Sequence, residues 1–413
     1  MKRICIICAV LVLAPVLVIS AEPIFFSAWG FRLDIPEGYE LTGGDRKNSF
    51  SFSSSLGTSL DLVVYTGKVS ASALAEEIEK KLSSQGKRHV FNYNNKEAAV
   101  IELCFVQGKN TLTGWALCLE LESAALEGAL FAPSAENGAT AGTYLAALAY
   151  GPDKAELECL HLSALDSIEG SNGDRFMPGA MTEFFHPRGM WFSGDLANSR
   201  ETAHFRENDA EASQSVVDRE FEVMKFYLDS PLWQEAWKRF YRAIFKDSFD
   251  RLKNAAFLLE RSWNGSVPGS GGDGNNPENT EQLEKRTAES YKIAAWALEW
   301  VQGFDYERDL MGSDFVNLVT AAREGRGDCD SRAMLWAVIL MQANIPSGVM
   351  VSREYSHALG IADIEGQGAR FPMQVEGGRT IRWLVAETTA NVSLGLIGET
   401  VSEVDKWLGI LFE

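Results

Sequence analysis

The stretch that most constrains this chain runs Gly325-Arg326-Gly327-Asp328-Cys329-Asp330-Ser331-Arg332-Ala333 and leads straight into an apolar segment. Ala333, Trp336, Ala337, Leu340 and Met341 recur at offsets of three and four, which predicts an α-helix with one buried face. Cys329 lies on that face at its N-terminal end. Asp328 and Asp330 are candidate caps, and Asn344-Ile345-Pro346 stops the helix. A thiol in this position faces unpaired backbone N–H groups and the positive end of the helix dipole, and both favour the nucleophilic thiolate.

Two residues downstream complete a catalytic set. His357 sits in the strand-like run Ser356-His357-Ala358-Leu359-Gly360-Ile361 as a candidate general base. Glu387 ends Arg382-Trp383-Leu384-Val385-Ala386-Glu387, also strand-like, as the group that orients the imidazole. Thiol, base and orienting carboxylate is the logic of an activated nucleophile. The flanking charges do not decide the thiol's ionisation, because Arg323, Arg326 and Arg332 are balanced by Glu324, Asp328 and Asp330.

Gly-Asp-Cys-Asp-Ser-Arg-Ala opening an apolar helix, Asn-Ile-Pro after it, a strand bearing His and the upstream pair Tyr306 and Asp309 together resemble a bacterial transglutaminase-like domain over about 280–400. The resemblance implies a papain-like core, with the cysteine on a central helix packed on an antiparallel sheet. It also implies a triad of Cys329 as nucleophile, His357 as base and Glu387 in the carboxylate position. The chain departs from the family pattern there, since Asp is usual and Glu stands in Ala-Glu-Thr-Thr. Acyl transfer follows, through a thioester formed on an amide or peptide. The oxyanion donor is the Cys329 backbone N–H, with Tyr306 and Asp328 in supporting positions. Water as acceptor makes a protease or amidase, which is the first reading. An amine makes a protein-crosslinking acyltransferase. A catalytically inactive envelope protein that keeps the fold for binding is the competing class. This chemistry needs no metal or organic cofactor, and its partner is a peptide or protein substrate.

Each of these residues has a plainer account beside the catalytic one. Cys329 fits a buried structural cysteine, His357 a strand histidine satisfied by backbone, and Glu387 an exposed strand-end charge. Arg326-Gly327-Asp328 also spells an adhesion tripeptide, but the turn before the helix accounts for it.

The chain opens like a secreted protein. Lys2 and Arg3 precede an apolar run from Ile4 to Ile19, and Ser20 and Ala21 follow, so residues 1–21 read as a signal peptide and the protein as secreted or periplasmic. An uncleaved anchor is the alternative. With 413 residues, there is room for two or three domains. A formal net charge of −19 argues against nucleic acid as a partner.

Residues 23–170 read as an α+β sandwich. Strands are expected at Phe31–Ile35, Ser49–Ser53, Ser59–Tyr65, Val90–Tyr93, Ala98–Val106, Thr111–Leu121 and Tyr144–Tyr150. Helices are expected at Ser70–Leu82 and Asp153–Ile168, on one side of an antiparallel sheet, with a small-residue loop at 123–142. In element order this unit is similar to PsbP-like domains. Without an evident catalytic group, it reads as a binding or docking module for an envelope partner. His89 reads as part of a solvated turn and His161 as a packed helix residue. Cys104 and Cys118 flank the turn at Gly108, either as a cross-strand disulfide or as two buried thiols. Residues 171–210 read as an interdomain linker whose aromatics pack. Residues 211–279 read as a helical segment, with one helix through Val216 to Leu228, a second from Pro231 toward Trp263, and an exposed loop at 264–279. A long helix from Thr280 to Val301 opens the transglutaminase-like region 280–413.

Overall fold

The structure is a computed structural model that describes residues 23–121, 142–170, 176–264, 280–308, 313–375 and 378–412, the side chains of 264 and 280–286 aside. The signal-peptide run, the 264–279 loop after its first residue and nearly all of the 123–142 loop lie outside the described residues. The elements are β1 (Ile24–Phe26), β2 (Phe31–Leu33), β3 (Tyr39–Gly43), β4 (Ser49–Ser54), β5 (Ser59–Gly67), α1 (Ala71–Leu82), β6 (Arg88–Tyr93), β7 (Lys96–Gln107), β8 (Asn110–Leu121), β9 (Gly142–Pro152), α2 (Glu158–Asp166), α3 (Ala180–Phe185), β10 (Trp191–Asp195) and β11 (Thr202–Arg206). They continue with α4 (Asp209–Lys225), α5 (Trp233–Arg251), α6 (Lys253–Asn264), α7 (Thr280–Gln302), β12 (Asp305–Tyr306), α8 (Leu318–Glu324), β13 (Arg326–Gly327), α9 (Cys329–Gln342), β14 (Ser347–Ser352), β15 (His357–Ala362), β16 (Arg370–Val375), β17 (Arg379–Ala386) and β18 (Leu408–Leu411). The class is α+β with antiparallel main sheets.

The first half is built on a seven-stranded sheet in the order β3-β4-β5-β9-β8-β7-β6. Its helices do not lie on one side, contrary to the sequence expectation. Leu74, Ala75 and Ile78 of α1 cover one face, against Ile101, Leu103 and Phe105. Ala164 and Leu165 of α2, with Ala180 and Met181 of α3, cover the other, against Val100, Leu117 and Leu119. The reason is local: Ala98, Ala99, Val100 and Ile101 are buried in a row, so β7 presents apolar side chains to both faces. Helix α1 starts where Ser70 accepts a hydrogen bond from the Ala73 N–H, and it stops at Ser83 in the left-handed conformation.

Between this half and helices α4 and α5 runs a seam of buried ion pairs. Arg242 grips the Asp34 carboxylate with two hydrogen bonds of 2.8 and 2.9 Å. Arg219 reaches Asp166 at 2.7 Å, and Arg239 reaches Glu220 at 2.7 Å and the Ser163 hydroxyl at 2.8 Å. Glu37 also sits here, 3.6 Å from the Arg239 Nε, with both carboxylate oxygens lacking a hydrogen-bond partner. Residues 176–210 are more than a linker. They carry α3 and the β10–β11 hairpin, whose Ala203 and Phe205 are fully buried in the main core. The helix expected from Pro231 to Trp263 is two helices that meet at the fully buried Leu252.

The second half is organised by α9. Its sequence periodicity suggested one buried face, yet every residue from Ser331 to Leu340 is buried. A helix apolar all round is one enclosed on all sides. Here β14 and β15 cover one side, and α5, α7 and α8 cover the rest. The sheet beneath has the order β16-β17-β15-β14-β18, with every pairing antiparallel. Gly360 of β15 sits where a Cβ would come within 2.5 Å of the Trp336 ring, so the helix and the sheet approach only because that position lacks a side chain. Trp336 is held from the other side by its indole N–H, which donates to the Ala294 carbonyl at 3.0 Å.

Two outcomes follow for stability. Gly360→Ala should lower the denaturant midpoint by an amount equivalent to about 1–3 kcal/mol, since Trp336 has no free direction in which to move. An unchanged midpoint would mean that the helix can slide on the sheet. Burial raises the Glu37 carboxyl from 4.5 to about 7, against the pull of Arg239. The folded chain therefore binds this proton more tightly than the unfolded one, and the stability it brings is full below pH 4.5 and lost as pH rises through 7. Glu37→Gln should remove that slope, so that the melting temperature of the variant gains on wild type between pH 5 and pH 8. A parallel pair of Tm–pH curves would sink the assignment.

Candidate functional site

Every residue of the Gly-Asp-Cys-Asp-Ser-Arg-Ala run has a place at the head of α9. Gly327 lies where a Cβ would come within 2.9 Å of the Ser331 Cβ. Asp328 is the N-cap, and one of its oxygens accepts from the Ser331 N–H at 2.7 Å and from the Ser331 hydroxyl at 2.6 Å. The same hydroxyl accepts from the Val316 N–H at 3.0 Å. Asp330 accepts from the Tyr241 hydroxyl of α5 on one oxygen. Its other oxygen lies 3.5 Å from the Cys329 Sγ, which donates to it. The Arg332 guanidinium, only 2% exposed, donates to the Phe304 carbonyl at 2.7 Å and the Gly327 carbonyl at 3.1 Å, and reaches the Thr388 carbonyl at 3.5 Å. Ala333 is fully buried in the core.

His357 opens β15 and Glu387 follows the last residue of β17, so the carboxylate stands just past the strand rather than in it. The register pairs Gly360 with Ala386, which brings the two strands' ends together. The imidazole Nε2 and the Glu387 Oε2 are 2.9 Å apart. The other Glu387 oxygen accepts from the Thr389 N–H at 2.8 Å and the Thr389 hydroxyl at 2.7 Å. Burial alone would raise the Glu387 carboxyl, but the hydrogen bonds from His357 and Thr389 outweigh it and hold the group below its ordinary value. Gln302 fixes the loop behind, donating to the Glu387 and Val392 carbonyls at 2.8 and 2.9 Å. The His357 ring lies 6.3 Å from the Trp407 ring.

The thiol and the imidazole meet through the backbone. The Cys329 sulfur takes a hydrogen bond from the N–H of Ala358, the residue after His357. Among the described residues, no hydrogen bond joins the sulfur to the ring itself. Burial, then the Asp330 and Asp328 charges, push the thiol far above its ordinary value. Asp328 is in turn raised to about 8, by burial first and by Asp330 second. This decides a question that the balanced sequence charges left open: the arginines point elsewhere, and the Asp330 carboxylate faces the sulfur.

The supporting residues divide. Asp328 caps the helix and is turned toward Ser331. Tyr306 lies on β12, which pairs in parallel with β13, and is 53% exposed. Its hydroxyl accepts from Arg308 at 3.2 Å, and the Arg332 guanidinium lies over its ring at 5.6 Å. Tyr241, Gln302 and Thr389 were missed in the sequence. Tyr241 was hidden in an aromatic stripe that reads as core. His89 lies on β6 rather than on a turn. His161 is packed, with burial lowering its pKa to about 4. Cys104 and Cys118 are free and pair in register with Thr113 and Ala99, so they do not face each other across the strands. Among the described residues, no group of three side chains is placed to hold a metal, and no helix is long and apolar enough to cross a membrane.

No family model matches the chain. No curated protein matches it. Among solved structures, a cyanobacterial PsbP (CyanoP) from Synechocystis sp. is similar at 10% identity, over 38% of this chain and 96% of its own, with a TM-score of 0.27. A protein from Bacteroides thetaiotaomicron is similar at 11% identity, over 52% of this chain and 74% of its own, with a TM-score of 0.18.

Arg332→Lys keeps the charge but removes the planar fork. It should leave buried carbonyls unpaired and cost about 1–3 kcal/mol in urea unfolding. Wild-type stability in that variant would show that the three carbonyls find other donors.

Proposed function

We propose that the chain is a thiol acyl-transfer enzyme of the transglutaminase-like kind, with Cys329 as nucleophile, His357 as base and Glu387 as the group that orients it. The observation that carries this reading is the 2.9 Å His357–Glu387 pair at strand ends, beside a cysteine, at the first position of a helix, whose sulfur contacts the N–H of Ala358, the residue after His357. With Nε2–H donated to Glu387, Nδ1 is the unprotonated nitrogen left to act as base.

In this mechanism Nδ1 takes the Cys329 proton, and the thiolate attacks an amide carbonyl. The tetrahedral oxyanion forms against first-turn N–H groups of α9, which lie outside the intrahelical ladder. The leaving amine takes the proton back from the imidazolium, and a thioester remains. Water, deprotonated by the same imidazole, cleaves the thioester and frees the thiol, so the net reaction is hydrolysis of a peptide or amide. An amine in place of water gives a crosslinked product. No cofactor enters either route. The basic, apolar start of the chain supports a secreted or periplasmic location, and the first half supports docking to an envelope partner.

A second reading has an observation of its own. The sulfur is hydrogen-bonded to Asp330 and not to the ring. That supports a non-catalytic envelope protein on the same framework.

Peptide mass spectrometry of iodoacetamide labelling across pH separates the two. For an enzyme, labelling of Cys329 falls about tenfold in His357→Ala and by a smaller factor in Glu387→Ala. Equal rates in wild type and both variants would sink the enzyme reading and leave a binding protein.

A further inference from the structure

The Cys329 sulfur has a partner that the proposed chemistry does not use. Asp330 stands between two groups: one oxygen faces the sulfur at 3.5 Å, and the other is held by the hydroxyl of Tyr241. Tyr241 is itself 2% exposed and packed edge-on against Phe240 at 5.2 Å, so the brace cannot swing away. Among the described residues, neither Asp330 nor Asp328 has a cation at ion-pair distance. Arg332, the nearest guanidinium on α9, is spent on backbone carbonyls.

We propose that Asp330, braced by Tyr241, is a positioning residue that latches the Cys329 thiol in a resting, protonated state away from the imidazole. The inference rests on Cys329 as the reactive thiol of the reading above. The latch is a hydrogen bond from S–H to a fixed carboxylate. Opening it requires only that the sulfur turn about its Cα–Cβ bond, after which the proton passes to Nδ1 of His357. Nothing is oxidised or reduced, and one proton moves.

The other groups around the sulfur do not account for this resting state. Asp328 is turned toward Ser331. His357 is held by Glu387. Arg308 donates to the Tyr306 hydroxyl, on the exposed side of the site. Asp330 is therefore the charged side chain that holds the thiol directly.

The test is the rate of Cys329 labelling by iodoacetamide as a function of pH, on the full chain. Asp330→Asn keeps the shape and removes the charge. It should label about tenfold faster at neutral pH, with the midpoint of the rate–pH curve moved down. Cys118 serves as an internal control, because it is fully buried and its pKa is pushed up to about 12 by burial alone. A rise at Cys329 with Cys118 unchanged supports the latch, and an equal or slower rate at Cys329 overturns it. If Asp330→Asn exposes Cys118 as well, Tyr241→Phe decides, since it loosens the brace without changing charge. A selective rise at Cys329 then keeps the latch, and no rise overturns it. Adding His357→Ala to the faster variant separates this inference from the enzyme reading. A rate that drops again supports both, whereas one that stays high keeps the latch and rejects the Cys–His pair.

Discussion

The site depends on one buried cation. Arg332 has almost no contact with solvent, and a guanidinium so placed is tolerable only if its donors are used. It spends them on the carbonyls of Phe304, Gly327 and Thr388. Those three carbonyls belong to the segment after α7, the turn before α9 and the segment after β17. One side chain thus ties the segment before Cys329 to the residue following Glu387. Burial lowers the Arg332 pKa, but its ordinary value is high enough that the charge persists at any physiological pH. The tether is permanent, and it fixes the backbone on which the thiol and the carboxylate–imidazole pair are carried.

The rest of the molecule reinforces that tether from outside. Trp336 is clamped between Ala294 and Gly360, so α9 cannot rotate on its sheet. Phe245 of α5 stacks on Phe412 at 4.3 Å, beyond the end of the last strand, and so closes the sheet's edge against the helices. The same helix carries Arg239 and Arg242, which engage Glu220 and Asp34. Helix α5 therefore connects three regions: the first half of the chain through Arg242 and Arg239, the core through its aromatics and the thiol's neighbour Asp330 through Tyr241. Buried pairs of this kind contribute little net stability when compared with apolar packing, but removing one partner is costly. Their effect is to fix one arrangement of the two halves.

Much of this was legible in the sequence, and the rest was not for physical reasons. The strands of the first half and α1 follow from alternation and from the Ser70 cap, because those signals are local. The head of α9 was legible for the same reason: a cap, a thiol and an apolar helix lie within a dozen residues. The second helical face of α9 was not, since a helix buried all round loses the periodicity that marks a face. Helices on both sides of the first sheet were missed because the four-residue apolar run in β7 does not say which element covers which face. Tyr241 is 88 positions before Cys329 in the numbering and belongs to an aromatic stripe. Only the fold brings it to Asp330. Short strands such as β12, β13 and β18 carry too few residues for any pattern.

Two electrostatic effects meet at the sulfur, and their sizes decide its resting state. The helix dipole favours thiolate, but it supplies typically about 0.3–1 kcal/mol, and up to about 2 in enclosed geometries. A carboxylate about 4 Å away opposes thiolate by roughly 4 kcal/mol at an effective dielectric of about 20. Asp330 alone therefore outweighs the dipole, and burial adds to its side. A cysteine at a helix start is usually read as an activated nucleophile, and here the same position carries a protonated thiol. The Ala358 N–H pulls the other way. It comes from the strand that bears His357, so any movement that carries the sulfur from Asp330 toward that strand both weakens the opposing charge and brings the imidazole closer. In the proposed latch, the resting and reactive positions of the thiol are neighbouring rotamers on a fixed backbone.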